Sequence, residues 1–520
     1  MLMSNVSPSP SGRGQGEGHK ISFDSDHHPT RRHLGFALSG SRFAARWPLP
    51  KGEAFGLIVA ISVLLASVSA QAQSPEPQTR PAYQQFRYDE DWSFLAGNSQ
   101  NSDWLDRLKY IPLGKEDWYT TIGGEIRERY ELLDQPNFGA GPEDKNGYFL
   151  QRYLLSSDFH LGSRVRAYTE FQSGLENGRN GGPRPTDLDR LDVHQAFLDL
   201  KVYSSKRNSV SIRFGRQELG FGSGRLISPA EGLNTRRSLD GIRLTMKIGP
   251  VVWNATNLRL VQSKPGVFDD VPDHTQTEWG TGMTAPHPVW KKANVSLYYF
   301  GLDRKNSIYR KGVGREIRHT IGSRSFKTSG RWDFNYEGIV QWGSFLGKPI
   351  HAGALSEDTG YTLTQSLLRP RIGVRADIAT GDRGPHATSL GSFNPLFPAA
   401  PVYSGPSGLL GPTNLIDVTP SLRLQLRKVL VTLESSSFWR QSLQDGIYSP
   451  SVASAPPVRR GDASHARYVA TAPSGTISYQ ATRHVFVSTT YTHFLAGQFL
   501  QESPPSRDVN YVASWITYRF

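Results

Sequence analysis

From Trp118 to the C-terminus the chain runs in segments of about ten residues in which apolar and polar side chains alternate with period two, separated by clusters of Gly, Pro, Asn and Asp. In one such segment Trp332, Phe334, Tyr336, Val340 and Trp342 share a face, while Asp333, Asn335, Glu337 and Gln341 mostly fill the other. Ile372, Val374, Ala376 and Ile378 likewise oppose Arg371, Arg375 and Asp377, and Leu422, Leu424 and Leu426 oppose Arg423, Gln425 and Arg427. Val165, Ala167, Thr169 and Phe171 oppose Arg164, Arg166, Tyr168, Glu170 and Gln172. Arg127 and Arg129 stand against Ile122 and Ile126, and Arg213 against Ile212 and Phe214. No long helical period interrupts this pattern, which predicts an all-β chain of about eighteen strands.

Two architectures produce such alternation. A soluble sandwich or propeller turns its apolar faces inward, whereas a membrane barrel turns them to lipid and keeps its charges in the lumen. Three features favour the barrel. Trp and Tyr concentrate near segment ends, as in interfacial girdles. Tight turns alternate with long polar loops, such as 177–186, 264–278 and 382–414. The chain also ends on an alternating strand in which Val512, Ile516, Tyr518 and the terminal Phe520 share a face, which resembles the assembly signal of bacterial outer-membrane barrels. The fold expected is a single large antiparallel transmembrane barrel at 118–520, with long extracellular loops, short periplasmic turns and an aqueous lumen.

Composition narrows the chemistry. With no Cys among 520 residues, disulfide scaffolds, thiolate metal sites and Cys nucleophiles are excluded. The run Phe55 to Val68, preceded by Arg42, Arg46 and Lys51 and followed by Ser69-Ala70-Gln71-Ala72, is too short to span a membrane as a helix and reads as a secretory signal at 51–72. Residues 1–50 resemble no fold, and with no Met between Met3 and Met246 the expectation is that translation starts downstream, at a non-Met codon. Residues 73–117 are read as a periplasmic extension, with a short amphipathic helix at Trp104 to Tyr110. After residue 72 the chain keeps 52 basic against 42 acidic residues, and 43 of all 59 basic residues are Arg. A guanidinium fork matches carboxylate and phosphate, so an anionic partner is expected, and a secreted chain seldom meets nucleic acid.

The sequence is similar to the alginate export family of outer-membrane barrels over about residues 86–520. The likeness rests on an ordered set of segments: Arg87-Tyr-Asp-Glu-Asp-Trp-Ser, Gly123-Gly-Glu-Ile-Arg-Glu-Arg-Tyr-Glu131, Gln151-Arg-Tyr-Leu-Leu, Gly215-Arg-Gln-Glu-Leu219 and Arg236-Arg-Ser-Leu-Asp-Gly-Ile-Arg243. It continues through Ala379-Thr-Gly-Asp382, Phe393-Asn-Pro-Leu-Phe-Pro398, Tyr491-Thr-His-Phe-Leu-Ala-Gly497, Arg507-Asp-Val-Asn-Tyr511 and Tyr518-Arg-Phe520. The resemblance implies an eighteen-stranded barrel whose arginine-lined pore passes alginate. It also implies lipid, the barrel-assembly machinery and periplasmic export proteins as partners, with transport direction inherited from the family.

By strand parity the lumen path is assigned to Arg127, Arg152, Arg166, Arg213, Arg243, Arg375, Arg423 and Arg427, with Glu125, Glu170, Asp377 and Glu434 loosening the grip on a passing polyanion. The alternative for any one of these arginines is an ion pair that only solvates the interior. Thr186-Asp-Leu-Asp-Arg-Leu-Asp192 offers spaced carboxylates but reads as a solvated loop entering a strand rather than an acid–base or calcium site. Gly220-Phe-Gly-Ser-Gly224 lacks a βαβ setting and reads as a turn. His160, His194, His319, His484 and His493 are scattered, and no Gly-x-Ser-x-Gly elbow supports a hydrolase, so neither metal, cofactor nor catalytic residue is expected. The favoured reading is a channel for anionic polysaccharide or its oligomers. An uptake porin for small organic anions, a soluble polyanion-binding protein and a barrel hydrolase are its competitors.

Overall fold

The computed structural model describes residues 81–96, 103–399, 401–450 and 455–520. The expected signal segment and the residues before it lie outside this range. Twenty strands join one sheet; Ile111–Pro112 and Val271–Pro272 have two residues each, and the other eighteen form the wall. The first six are β1 (Trp118–Leu133), β2 (Tyr148–Leu161), β3 (Val165–Asn177), β4 (Asp189–Ser204), β5 (Asn208–Gln217) and β6 (Leu239–Ile248). They are followed by β7 (Val251–Gln262), β8 (Gln276–Pro286), β9 (Asn294–Tyr309), β10 (Gly312–Lys327), β11 (Trp332–Phe345) and β12 (Lys348–Thr362). The last are β13 (Arg371–Ala379), β14 (Leu415–Leu426), β15 (Val429–Arg440), β16 (Tyr468–Gln480), β17 (Val485–Ala496) and β18 (Val509–Arg519). Each strand pairs antiparallel with its sequence neighbours, and β18 returns to β1, from Glu125↔Arg519 to Leu133↔Tyr511. Closure leaves the wall without a free edge, as lipid requires.

The face assignments follow exposure. Ile126, Phe149, Leu155, Phe214, Ile242, Val340, Leu355 and Ile372 are exposed on the outer face, whereas Arg152, Glu170, Glu316, Arg318 and Gln341 are buried on the inner one. Trp332 and Trp342 stand outward near opposite ends of β11, consistent with aromatic girdles.

Short turns at one rim, including 162–164, 205–207, 249–250 and 427–428, mark the periplasmic side. Long connections at the other rim include 134–147, 178–188, 218–238, 263–275, 380–414 and 441–467. Two connections on that rim depart from the expected length: 310–311 and 346–347 are two-residue hairpins, the second with positive φ at Leu346 and Gly347 as a tight hairpin requires. The short 310–311 turn leaves room for the 380–414 loop to fold over it, and Lys311 Nζ lies 3.2 Å from Asp382 Oδ1 and 3.0 Å from the Ala387 carbonyl.

Candidate functional site: the lumen and its plug

Strand register places inward-facing arginines directly opposite one another three times: Arg127 with Arg152, Arg213 with Arg243, and Arg371 with Arg423. Like charges so placed destabilise a sheet unless counter-charge is supplied. One member of each pair has it. Arg152 Nη2 lies 2.5 Å from Glu125 and 2.6 Å from Glu231, Arg213 forks onto Asp199 at 2.7 and 2.8 Å, and Arg371 holds Asp333 and Asp358 at 2.5 and 2.9 Å. The other member has no carboxylate in ion-pair contact among the described residues. Arg127 donates to the Glu231 and Leu233 carbonyls, Arg243 to Asn254 Oδ1, and Arg423 is exposed near the periplasmic end of β14.

Arg166 faces inward and is bound by Asp158 and the Tyr88 carbonyl. Arg375 lies 3.4 Å from Asp377 and donates to the Tyr403 carbonyl and Thr419 Oγ1. Arg427 is a correction: β14 ends at Leu426, and Arg427, with φ of 49°, makes the periplasmic turn with Lys428. Parity fails there because a residue in a left-handed turn belongs to neither face. Glu125 pairs with Arg152 and Arg519, and Asp377 with Arg225, whereas Glu170 accepts from Tyr168 and Gln195 instead of an arginine. Glu434 faces the lumen beside Ser421 and Ser474.

The lumen is narrowed by chain that the sequence pattern did not place inside it. The 218–238 loop crosses to the β1–β3 wall, where Asn234 Nδ2 donates to the carbonyls of Gln151, Leu175 and Asp187 at 3.1, 3.0 and 2.8 Å. Glu231 bridges Arg152 and Arg236, and against the burial that would raise it these guanidiniums hold its carboxyl below the usual range. On its other flank the same loop sends Arg225 to Asp377 and Ser223 to Glu337. It pairs with the 380–414 loop through Ile227 and Phe397, and Leu226, Ile227, Phe393, Leu396 and Phe397 form an apolar cluster inside the barrel. Neither Arg225, Glu231, Asn234 nor Arg236 was assigned from parity. The available signal was the apolar content of both loops, Leu219, Phe221, Leu226 and Ile227 in one and Phe393, Leu396 and Phe397 in the other, which a solvated loop does not need.

The segment expected as an extension ahead of the barrel also enters it. Tyr88 is 4% exposed, packs edge-on to Tyr168 and Phe197 and lies under Arg213 at 4.2 Å. Arg87 donates to the Gly124 and Phe520 carbonyls, and Arg236 to the Gln85 carbonyl. Three aromatic rings and an arginine thus seat residues 85–90 against the inner wall, because Tyr168 and Phe197 point inward from β3 and β4. The helix beyond it, Asp106–Lys109, is shorter than the sequence suggested.

The other arc of the lumen, β14–β17, is lined by hydroxyls. Ser474 meets Thr492 at 2.9 Å, Thr476 meets Thr490 at 2.8 Å, Ser478 meets Ser488 at 2.9 Å, and Thr419 meets Ser436 at 2.8 Å. Arg375 and Arg423 flank this ladder on β13 and β14.

Two carboxylate groupings invite a metal reading. Glu170, His194 and Glu218 converge, but His194 Nε2 bonds Glu218 at 2.9 Å and Arg236 occupies the same carboxylate at 2.6 Å, so the protein itself satisfies this network. Asp189, Asp192 and Asp270 form the second group. His484 lies between Asp103, Tyr83 and the Arg519 carbonyl, and His319 stacks with Tyr299 and Trp342. In the last strand Ile516 is exposed outward, and Phe520 extends the pairing through reciprocal backbone bonds with Gly124.

The fold is similar to those of solved bacterial outer-membrane proteins. A BenF-like porin from Pseudomonas fluorescens superposes with a TM-score of 0.53 at 9% identity, covering 77% of this chain and 98% of that one. Pseudomonas aeruginosa OpdK, solved with vanillate, gives 0.52 at 10% identity over 77% and 98%, and P. aeruginosa OccK11 (OpdR) gives 0.51 at 12% over 77% and 96%. No curated protein matches the sequence. The alginate export family profile matches residues 118–514, from the first wall strand into the last. With eighteen strands closed around a charged interior, the chain is an outer-membrane channel and belongs to the alginate export family.

Proposed function

We propose that this channel conducts an anionic polysaccharide of the polyuronate class, or its oligomers, guided by arginine without covalent chemistry. The observation that carries this reading is the set of three inward Arg–Arg pairs, each leaving one guanidinium free of a carboxylate contact, at Arg127, Arg243 and Arg423. A passing carboxylate supplies the missing counter-charge at Arg243 and Arg423, while Arg127, buried against the Glu231 and Leu233 carbonyls, adds its positive field from behind the 218–238 loop; the acids already beside the partner arginines keep any one site from holding the anion tightly. The Ser/Thr ladder of β14–β17 adds hydroxyl partners suited to a sugar ring. Val512, Ile516, Tyr518 and Phe520 are read as the assembly signal, residues 51–72 as the export signal, and periplasmic export proteins as partners.

A second reading, uptake of small organic anions, is favoured by the 218–238 and 380–414 loops, which cross-link inside the lumen and shorten the track. Single-channel current in the presence of oligouronate, the monomeric acid and a neutral oligosaccharide of equal length separates the two. Block by the oligouronate alone supports the polymer reading. Equal block by monomer and oligomer supports small-anion uptake, and block by the neutral sugar removes the role of charge.

A further inference from the structure

The Thr186–Asp192 segment is not the solvated loop its composition suggested. Asp189 is 0% exposed and Asp192 4%, at the extracellular start of β4, where two register shifts interrupt the pairing with β3. The 263–275 loop folds back onto this point: Phe268 N donates to the Leu191 carbonyl, Asp270 N to Asp192 Oδ2, and Arg190 to the Pro265 carbonyl. This brings one carboxylate oxygen each of Asp189, Asp192 and Asp270 within 4.8 Å of one another.

Two further oxygens make the grouping more than an acidic patch. Asp189 Oδ1 and Asp269 Oδ1 are buried and accept no hydrogen bond among the described residues. Cationic cover is thin: Arg216 approaches Asp192 at 3.6 Å but is engaged more closely by Asp240 at 2.9 Å. Buried carboxylates with orphaned oxygens cost free energy unless a proton or a cation is shared among them.

We propose that Asp189, Asp192 and Asp270, with Asp269 beside them, bind a divalent cation, calcium in preference to magnesium, that ties the 263–275 loop to the barrel rim. An all-oxygen donor set selects a hard cation. Three carboxylate oxygens within 4.8 Å of one another, held by a strand end and a loop, form an irregular set that calcium tolerates, whereas magnesium demands a near-ideal octahedron and gives up its water reluctantly.

The test uses the full chain folded in detergent and stripped with EDTA, with calcium and magnesium chloride as probes. Calorimetry should show one calcium per chain with Kd of about 10⁻⁴ to 10⁻³ M and weaker magnesium binding. Chymotryptic cleavage after the exposed Phe268 should slow about fivefold or more at 5 mM calcium, consistent with that Kd. Asp189→Asn and Asp270→Asn should each abolish both effects. Because removing a charge relieves repulsion, these variants should melt no lower than the calcium-free parent. A chain that is folded by circular dichroism yet shows no calcium heat, or Asn variants that bind as the parent does, would overturn the site. Equal affinity for magnesium would overturn the preference.

Discussion

Asn234→Ala isolates the docking of the 218–238 loop without altering charge. Asn234 is 1% exposed, and its amide holds the carbonyls of Gln151, Leu175 and Asp187 while its own Oδ1 has no partner. Two N–H groups serve these three acceptors, and hydrogen bonds contribute about 0.5 to 1.5 kcal/mol each, so the loss is about 2 kcal/mol. That energy multiplies the ratio of detached to docked loop by about 30. Single-channel recording should show a larger or more frequently open conductance with unchanged ion selectivity, and protease should reach the loop sooner. Gly174→Val provides a second route to the same state, because a Cβ there would meet Thr235 Cγ2 at 2.9 Å and Asn234 Nδ2 at 3.3 Å. If both variants conduct as the parent does, this loop is not the constriction.

Replacing Arg127, Arg243 and Arg423 together with Gln should move the reversal potential toward cations by tens of millivolts in a tenfold salt gradient while leaving the barrel folded, because lumen positions tolerate polar exchange; an unchanged potential removes these residues from the path. Tyr88→Ala, which deletes the ring held by Tyr168, Phe197 and Arg213, should cost the docked N-terminal segment about 2 to 4 kcal/mol and increase conductance, with lysis at Arg87 by trypsin as the check. Burial, with repulsion from Arg87, holds the Lys109 amine down to about 7. A detached Lys109 keeps its proton to about 10, so from pH 7 to 10 the detached form binds more protons and docking strengthens as pH rises; below 7 both forms are charged and docking is weakest. Tryptic cleavage at the exposed Arg107, taken relative to Lys109→Met, should slow between pH 7 and 9, and an opposite slope would refute the assignment.

What was legible in the chain followed from parity. The outward ridge of β11 and the inward Arg371, Arg375 and Arg423 could be read because a pleated strand between lipid and water has only two faces. At Arg427 parity misleads, because the alternation continues by chance into a turn. The plug was not legible for a different reason: a loop folded into a polar lumen and a loop in bulk water use the same residues, and Asn234 carries no local sign of the three carbonyls it will meet. Arg87 to Trp92 reads as an extension because its partners, Gly124, Phe520 and Arg213, lie elsewhere in the chain and converge only when the barrel closes. The acidic start of β4 needed Asp269 and Asp270, from a loop beyond three more strands, before its carboxylates formed a group.

Interior arginines should make the channel favour anions, and the reversal potential of the refolded barrel in a planar bilayer under a KCl gradient tests this most directly. A potential displaced toward the chloride equilibrium value, collapsing toward zero as added oligouronate occupies the lumen, is the predicted result. A potential displaced toward the potassium value would contradict the account, since the unpaired guanidiniums at Arg127, Arg243 and Arg423 could not then govern what passes.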